Sequence, residues 1–234
     1  MEVWAAIDLL RGKVVTLVQG DASRRTVWKE EPTEFAKRWE NEGADGLHIV
    51  DLDAAFGNGS NQRIVEHIVK RTKTRVQVGG GVRSEGRVKR LLDLGVDRVI
   101  LGTLAYVKPD ILWKLLEKLG SEKIVVAADY KKGKVVSGGW KDNEGVSVLN
   151  AVRSFEAAGV KNVLATAVGR DGLGRGPDVA TLRMICASTE MKVLASGGIR
   201  NESDVEALGK AGVHGVILGR ALYEGTIRLD EVER

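Results

Sequence analysis

Apolar runs short enough to be buried strands alternate along this chain with segments whose apolar residues recur three and four positions apart, the period of a helix. Val3–Asp8 reads as the first strand and Lys13–Val18 as a further extended piece. Pro32, Phe35 and Trp39 mark a helix with proline in its first turn, stopped by Gly43. Gly46–Asp51 is the next strand, followed by a helix over Asn61–Thr72 with Ile64, Val65, Ile68 and Val69 on one face. Arg75–Val78 and Arg98–Leu101 come next, separated by a helix that Ser84 caps, that turns Val88, Leu91 and Leu92 inward, and that Gly95 ends. A helix over Pro109–Leu119 completes the first half.

The second half repeats the rhythm. Lys123–Asp129 is a strand, Lys134–Val136 an extended piece, and Val146–Ala158 a helix ended by Gly159. Strand Asn162–Thr166 and the glycine-rich loop 169–176 lead to a helix starting at Pro177. Lys192–Ala195, a helix over 202–211, Gly215–Leu218 and a helical tail finish the series. Strands alternating with helices imply a parallel sheet. Eight such units in 234 residues suit a closed (β/α)8 TIM barrel, with an open doubly wound sheet as the alternative. No linker or low-complexity tract divides the chain, so residues 1–234 are expected to form one barrel domain.

The halves also resemble each other residue by residue. Ala-Ile-Asp8-Leu-Leu-Arg-Gly12-Lys-Val-Val returns as Ala-Ala-Asp129-Tyr-Lys-Lys-Gly133-Lys-Val-Val. Residues 76–103 laid on 193–220, an offset of 117, match at 13 of 28 positions. Such self-similarity favours two half-barrels that pair their edges with each other.

Composition narrows the chemistry. At 43% apolar residues the chain can bury a large core, yet no apolar run nears the ~20 residues of a membrane span. The start Met-Glu-Val-Trp lacks a signal peptide's basic region, which points to the cytoplasm. The single Cys186 excludes an internal disulfide, and His48, His67 and His214 lack ligand spacing, so no metal is expected. The net charge of +4 is dispersed, the one compact basic cluster (Lys70, Arg71, Lys73, Arg75) sitting at a predicted helix end. That pattern fits an anionic small molecule better than nucleic acid. Neither a Gly-x-Gly-x-x-Gly after the first strand nor a Walker loop is present, so no cofactor is expected. Nothing points to a protein partner, and a monomer is expected.

In a barrel of this kind the active site lies at the C-terminal ends of the strands. Asp8 and Asp129 end strands one and five, which are opposed in a ring of eight, so they are expected to face each other across the mouth. Two carboxylates on opposite sides of one substrate suit proton abstraction and protonation, the acid being the one whose pKa a dry environment raises. Gly80 and Gly81, repeated as Gly197 and Gly198, follow strands three and seven; Gly102-Thr103, repeated as Gly219-Arg220, follow strands four and eight. Glycines let backbone N–H groups approach a phosphate, so two phosphate cradles are expected on opposite sides of the mouth, for an elongated bis-phosphorylated substrate. His48 alternates with Leu47 and Ile49 and either faces the mouth or packs. Trp140, in the loop after strand five, either stacks on a heterocycle or covers the barrel; Trp4, Trp28, Trp39 and Trp113 read as packing.

Ala-Ile-Asp8-Leu, Gln19-Gly-Asp21, His48-Ile-Val-Asp51-Leu-Asp53, Gly79-Gly-Gly-Val-Arg83, Gly139-Trp140, Arg170-Asp-Gly172 and Ser196-Gly-Gly-Ile199 occur in order along the chain. Together they resemble the histidine-biosynthesis isomerases that convert the bis-phosphorylated aminoaldose ProFAR to its ribulosyl form by a cofactor-free Amadori rearrangement. The resemblance implies Asp8 as general base at C2′, Asp129 as general acid opening the ribose ring, and Thr166 assisting at the sugar. It also implies substrate contacts at Gln19, His48, Arg83, Trp140 and Gly172 besides the two cradles. The chain departs from the family pattern at Ala167 and Leu173, where an Asp and a Thr are usual, which leaves open the orientation of Thr166.

Three alternatives stand beside this one. The paralogous cyclase subunit of imidazole glycerol phosphate synthase shares the repeat and the paired Asp, but its first strand commonly runs Cys-Leu-Asp-Val. An isomerase acting also on phosphoribosylanthranilate would use the same chemistry. A phosphosugar-binding barrel without turnover would have no need of both Asp residues.

Overall fold

Alternation along each strand decides which side chains fill the barrel and which meet the helices. The computed structural model describes every residue except Gly139, Lys141, Glu233 and Arg234, together with the side chains of 142–144. The barrel strands are β1 (Glu2–Leu10), β2 (Gly46–Asp51), β3 (Arg75–Gly79), β4 (Arg98–Leu101), β5 (Ile124–Ala127), β6 (Asn162–Thr166), β7 (Lys192–Ser196) and β8 (Gly215–Leu218). They run parallel in chain order, and β8 closes the ring on β1 through Val3↔Val216 and Ala5↔Leu218. The half-barrels meet again at β4 and β5, where Val99 pairs with Ile124. Helices lie between successive strands, so the fold is a (β/α)8 TIM barrel.

Trp4, Ala6, Ile100, Val125, Ala127, Leu164, Leu194 and Ile217 point inward and fill the barrel. Their strand neighbours, among them Val3, Ala5, Val99, Val126, Val163 and Val216, point outward into the core beneath the helices. The base is plugged by the Trp4 indole, with the Arg98 guanidinium 4.4 Å and that of Arg75 5.0 Å from the ring. Glu2 joins the plug through Trp4, Arg75 and Arg98. Against burial, which alone would raise it, these hydrogen bonds and the two arginine charges hold the Glu2 carboxyl at about 2.

The repeated Asp-plus-turn stretch folds the same way twice. Arg11 and Gly12 (φ 51° and 77°) match Lys132 and Gly133 (φ 51° and 72°), positive values at both central positions of each two-residue hairpin turn. The first hairpin folds Lys13–Val18 back on β1 with Val15 opposite Asp8, and a further strand, Asp21–Val27, pairs outside it. Alternation does not foretell that outer strand, because Asp21–Val27 is almost wholly exposed and polar. The second hairpin joins Tyr130–Lys131 to Lys134–Ser137, and Asp142–Ser147 adds a third strand.

Some element bounds differ from the expectation. The helix read from Val146 runs over Val148–Ala157, because Ser147 caps it by accepting from Asn150 N–H. The helix read from Pro177 runs over Val179–Ala187 behind the cap of Asp178. Trp113, expected to pack, is 56% exposed, whereas Trp4 and Trp39 are buried and Trp28 stacks on Tyr223 at 5.0 Å. Among the described residues no helix is long and apolar enough to cross a membrane.

Candidate active site

Inward alternation on β1 runs Trp4, Ala6, Asp8, and after β5 it runs Val125, Ala127, Asp129. Both carboxyls therefore emerge above the apolar filling, at the C-terminal mouth. There they line one cavity of about 750 Å³, together with Thr166 at the end of β6. The cavity also takes in Gly80, Gly81, Gly102 and Thr103 on one side and Gly197, Gly198, Gly219 and Arg220 on the other. His48, Arg83, Trp140 and Gly172 line it as well.

The two glycine pairs of each half play different parts. A Cβ on Gly80 would lie 2.3 Å from the Asp51 carbonyl oxygen, and one on Gly198 2.6 Å from that of Gly176, so these glycines let loops pass in contact. Gly102 has nothing within 4 Å of such a Cβ, and Gly219 only Ala6 at 3.8 Å. Their backbones match across the repeat, with φ, ψ of −93°, −112° and −109°, −107°. Space for a ligand therefore opens over the ends of β4 and β8. The sides differ in charge: Thr103 Oγ1 accepts from Gly138 N–H at 3.0 Å, whereas Arg220 sets a cation in the opposite wall, its buried Nε 3.7 Å from Glu224 Oε1 and without a hydrogen bond among the described residues.

Burial, and secondly the Asp171 charge, push the Asp8 carboxyl up to about 7. Burial also raises that of Asp129, opposed by hydrogen bonds from Trp140 and Thr166, so a dry environment raises both carboxyls and, contrary to expectation, does not by itself single out the acid. Trp140 Nε1 donates to Asp129 Oδ2 at 2.7 Å, and its ring covers Gly20, where a Cβ would fall 2.5 Å from it. Thr166 is thus turned toward Asp129 although Ala167 follows it.

Asp171 is the residue that sequence reasoning passed over. It lines the same cavity, and burial followed by the Asp129 charge raises its carboxyl to about 6, against Arg220 and the Gly172 N–H. The available signal was its place between Arg170 and Gly172 in the loop after the sixth strand. Thr16 and Gln77 were also missed: Thr16 Oγ1 is buried in the cavity wall without a partner, and Gln77 lies fully buried beneath the floor beside His48.

Two residues named for substrate contact are engaged elsewhere. Gln19 does not line the cavity; its side chain donates to the Gly169 carbonyl at 3.3 Å and its backbone N–H to that of Asp171 at 3.1 Å, tying the first hairpin to the sixth loop. Arg83 reaches the rim, but its guanidinium donates to the carbonyls of Ala54 and Ala55 at 2.9 and 2.8 Å, clamping the wall behind Gly81. Strand-end Asp51 is fully buried and accepts from Ser60 Oγ and Asn61 N–H, both at 2.9 Å, a structural network. Gly139 lies outside the described residues.

Relatives share this chain along nearly its whole length. A protein of Cenarchaeum symbiosum is 44% identical over 97% of this chain and 97% of its own. One of Bacillus cereus is 43% identical over 99% and 97%, and one of Alkaliphilus metalliredigens 41% over 99% and 98%. Each is named 1-(5-phosphoribosyl)-5-((5-phosphoribosylamino)methylideneamino)imidazole-4-carboxamide isomerase. The model of the family described as histidine biosynthesis protein matches residues 2–228. With its closed barrel, its internal repeat and these relatives, the chain belongs to the histidine biosynthesis protein family.

Proposed function

We propose that this chain is the aldose–ketose isomerase that converts ProFAR to its ribulosyl form. The observation that carries the reading is the single cavity holding Asp8 and Asp129 with a glycine-lined opening on either side. A substrate with a phosphate at each end spans it with the sugar between the carboxylates.

The chemistry relocates protons and needs no co-reactant. An acid protonates the ribose ring oxygen as the amino nitrogen's lone pair forms the C1′=N bond of a protonated Schiff base. Asp8 removes the proton from C2′, giving an enaminol. Loss of the C2′ hydroxyl proton and protonation at C1′ then yield the aminoketose, with every atom retained. A base whose pKa stands near the working pH is well matched to the abstraction.

Asp129 takes the acid role in this reading, with Thr166 positioned beside it. Asp171 is the second reading for the acid, because its carboxyl is raised to about 6 while donors from Trp140 and Thr166 favour the charged form of Asp129. The substrate is then the only partner; the protein works as a cytoplasmic monomer, without nucleic acid or membrane.

The test is an assay of purified protein on ProFAR, on phosphoribosylanthranilate and for ammonia-dependent cyclisation. Turnover of ProFAR that Asp8→Asn abolishes, with substrate still bound, is the expected result. Cyclisation without isomerisation would overturn the reading. Asp129→Asn and Asp171→Asn, compared in a single turnover, separate the two acids: the true one loses ring opening.

A further inference from the structure

The barrel interior is apolar at the level of Ala6, Ile100, Ala127, Leu164 and Ile217, with one exception. His48 on β2 and Gln77 on β3 face each other there as direct partners in the parallel ladder. Both are buried, Gln77 completely. Gln77 Nε2 lies 3.0 Å from His48 Nδ1. With the amide NH2 turned to the ring, Nδ1 is the accepting, unprotonated nitrogen and the ring proton sits on Nε2, while Gln77 Oε1 has no hydrogen-bond partner among the described residues.

Two observations tie this pair to the site rather than to packing. His48 lines the cavity whereas Gln77 does not, so with Nδ1 turned to Gln77 the opposite ring nitrogen is the one left for a ligand. Burial also depresses the imidazole to about 4, which leaves it uncharged at neutral pH.

We propose that Gln77 is a positioning residue that locks His48 as the neutral Nε2–H tautomer, so that the imidazole donates to the bound substrate between Asp8 and the β3 glycines. The inference rests on the isomerase reading for the substrate only; the lock is a property of the free protein. In that role His48 neither takes nor gives a proton. It supplies one hydrogen bond, aimed by a residue that never touches the substrate.

Long-range nitrogen–proton NMR on the intact, ligand-free protein reads the tautomer directly. The expected pattern is Nε2–H, unchanged across the range of about pH 5–8 in which an ordinary histidine titrates. An Nδ1–H tautomer, or an imidazolium forming within that range, would overturn the proposal, and no substrate is needed to see either. Gln77→Met, which keeps the volume and loses the donor, should mix the tautomers and lower kcat/KM by roughly two- to tenfold, the worth of one neutral hydrogen bond. His48→Gln, which keeps an N–H without acid–base capacity, should retain more activity than His48→Leu. Equal losses in those two would overturn the donor role. If Gln77→Met fails to fold, the wild-type spectrum still decides.

Discussion

Trp140 Nε1 donates a hydrogen bond of 2.7 Å to Asp129 Oδ2, linking the loop after β5 to the carboxylate at that strand's end. The bond favours the ionised carboxylate, in opposition to burial, which is the larger influence and raises the Asp129 pKa. Trp140→Phe keeps a ring over Gly20 and removes the N–H. The Asp129 pKa should then rise further, observable by carbon NMR of its carboxyl in the ligand-free protein. An unchanged or lowered value would show that the indole does not stabilise the charge.

The Asp8 carboxyl, the proposed base, carries a stability cost. Its folded pKa of about 7 exceeds the unfolded value, so the native state binds the extra proton between the two. Stability is therefore lost as pH rises from about 4 through 7, and none of the effect remains below about 4, where both states are protonated. Asp8→Asn should abolish turnover yet be more stable than wild type at pH 8, by on the order of 2–4 kcal/mol, with the gap closing toward pH 4. Denaturant titrations of the two proteins at the two pH values measure it.

Asp171 raises the pKa of Asp8 by its charge. Asp171→Asn removes that charge, so Asp8 should ionise at lower pH and the acid limb of kcat/KM should move down from its wild-type position near pH 7. The two carboxyls interact, so the limb belongs to the pair. Residual activity suffices to locate it, and an upward shift would contradict the arrangement.

The glycines divide into those that fold the loops and those that leave room. Gly198→Ala forces a Cβ to 2.6 Å from the Gly176 carbonyl oxygen at a φ of +88°, and should destabilise by more than about 1 kcal/mol. Gly102→Ala meets no atom within 4 Å. It should melt close to wild type and raise KM about tenfold or more, the worth of a charge-assisted hydrogen bond to phosphate. Thermal melts beside initial-rate kinetics separate the two; a normal KM in Gly102→Ala would remove the β4 end from phosphate binding.

The chain by itself determined the barrel, its halves and the strand-end level at which Asp8 and Asp129 share a cavity, because those follow from repetition along the sequence. The 117-residue offset pairs Gly102 with Gly219, whose backbones do coincide, and alternation from Trp4 through Ala6 puts Asp8 at the mouth. Contacts between segments far apart in sequence carry no such period. Only the tertiary structure turned Gln19 to the Gly169 carbonyl and spent Arg83 on the Ala54 and Ala55 carbonyls. Only it brought Asp171 from the sixth loop into the electrostatic field of both Asp8 and Asp129. Desolvation and charge depend on what surrounds a group in space, so the protonation of the site was decided by the fold.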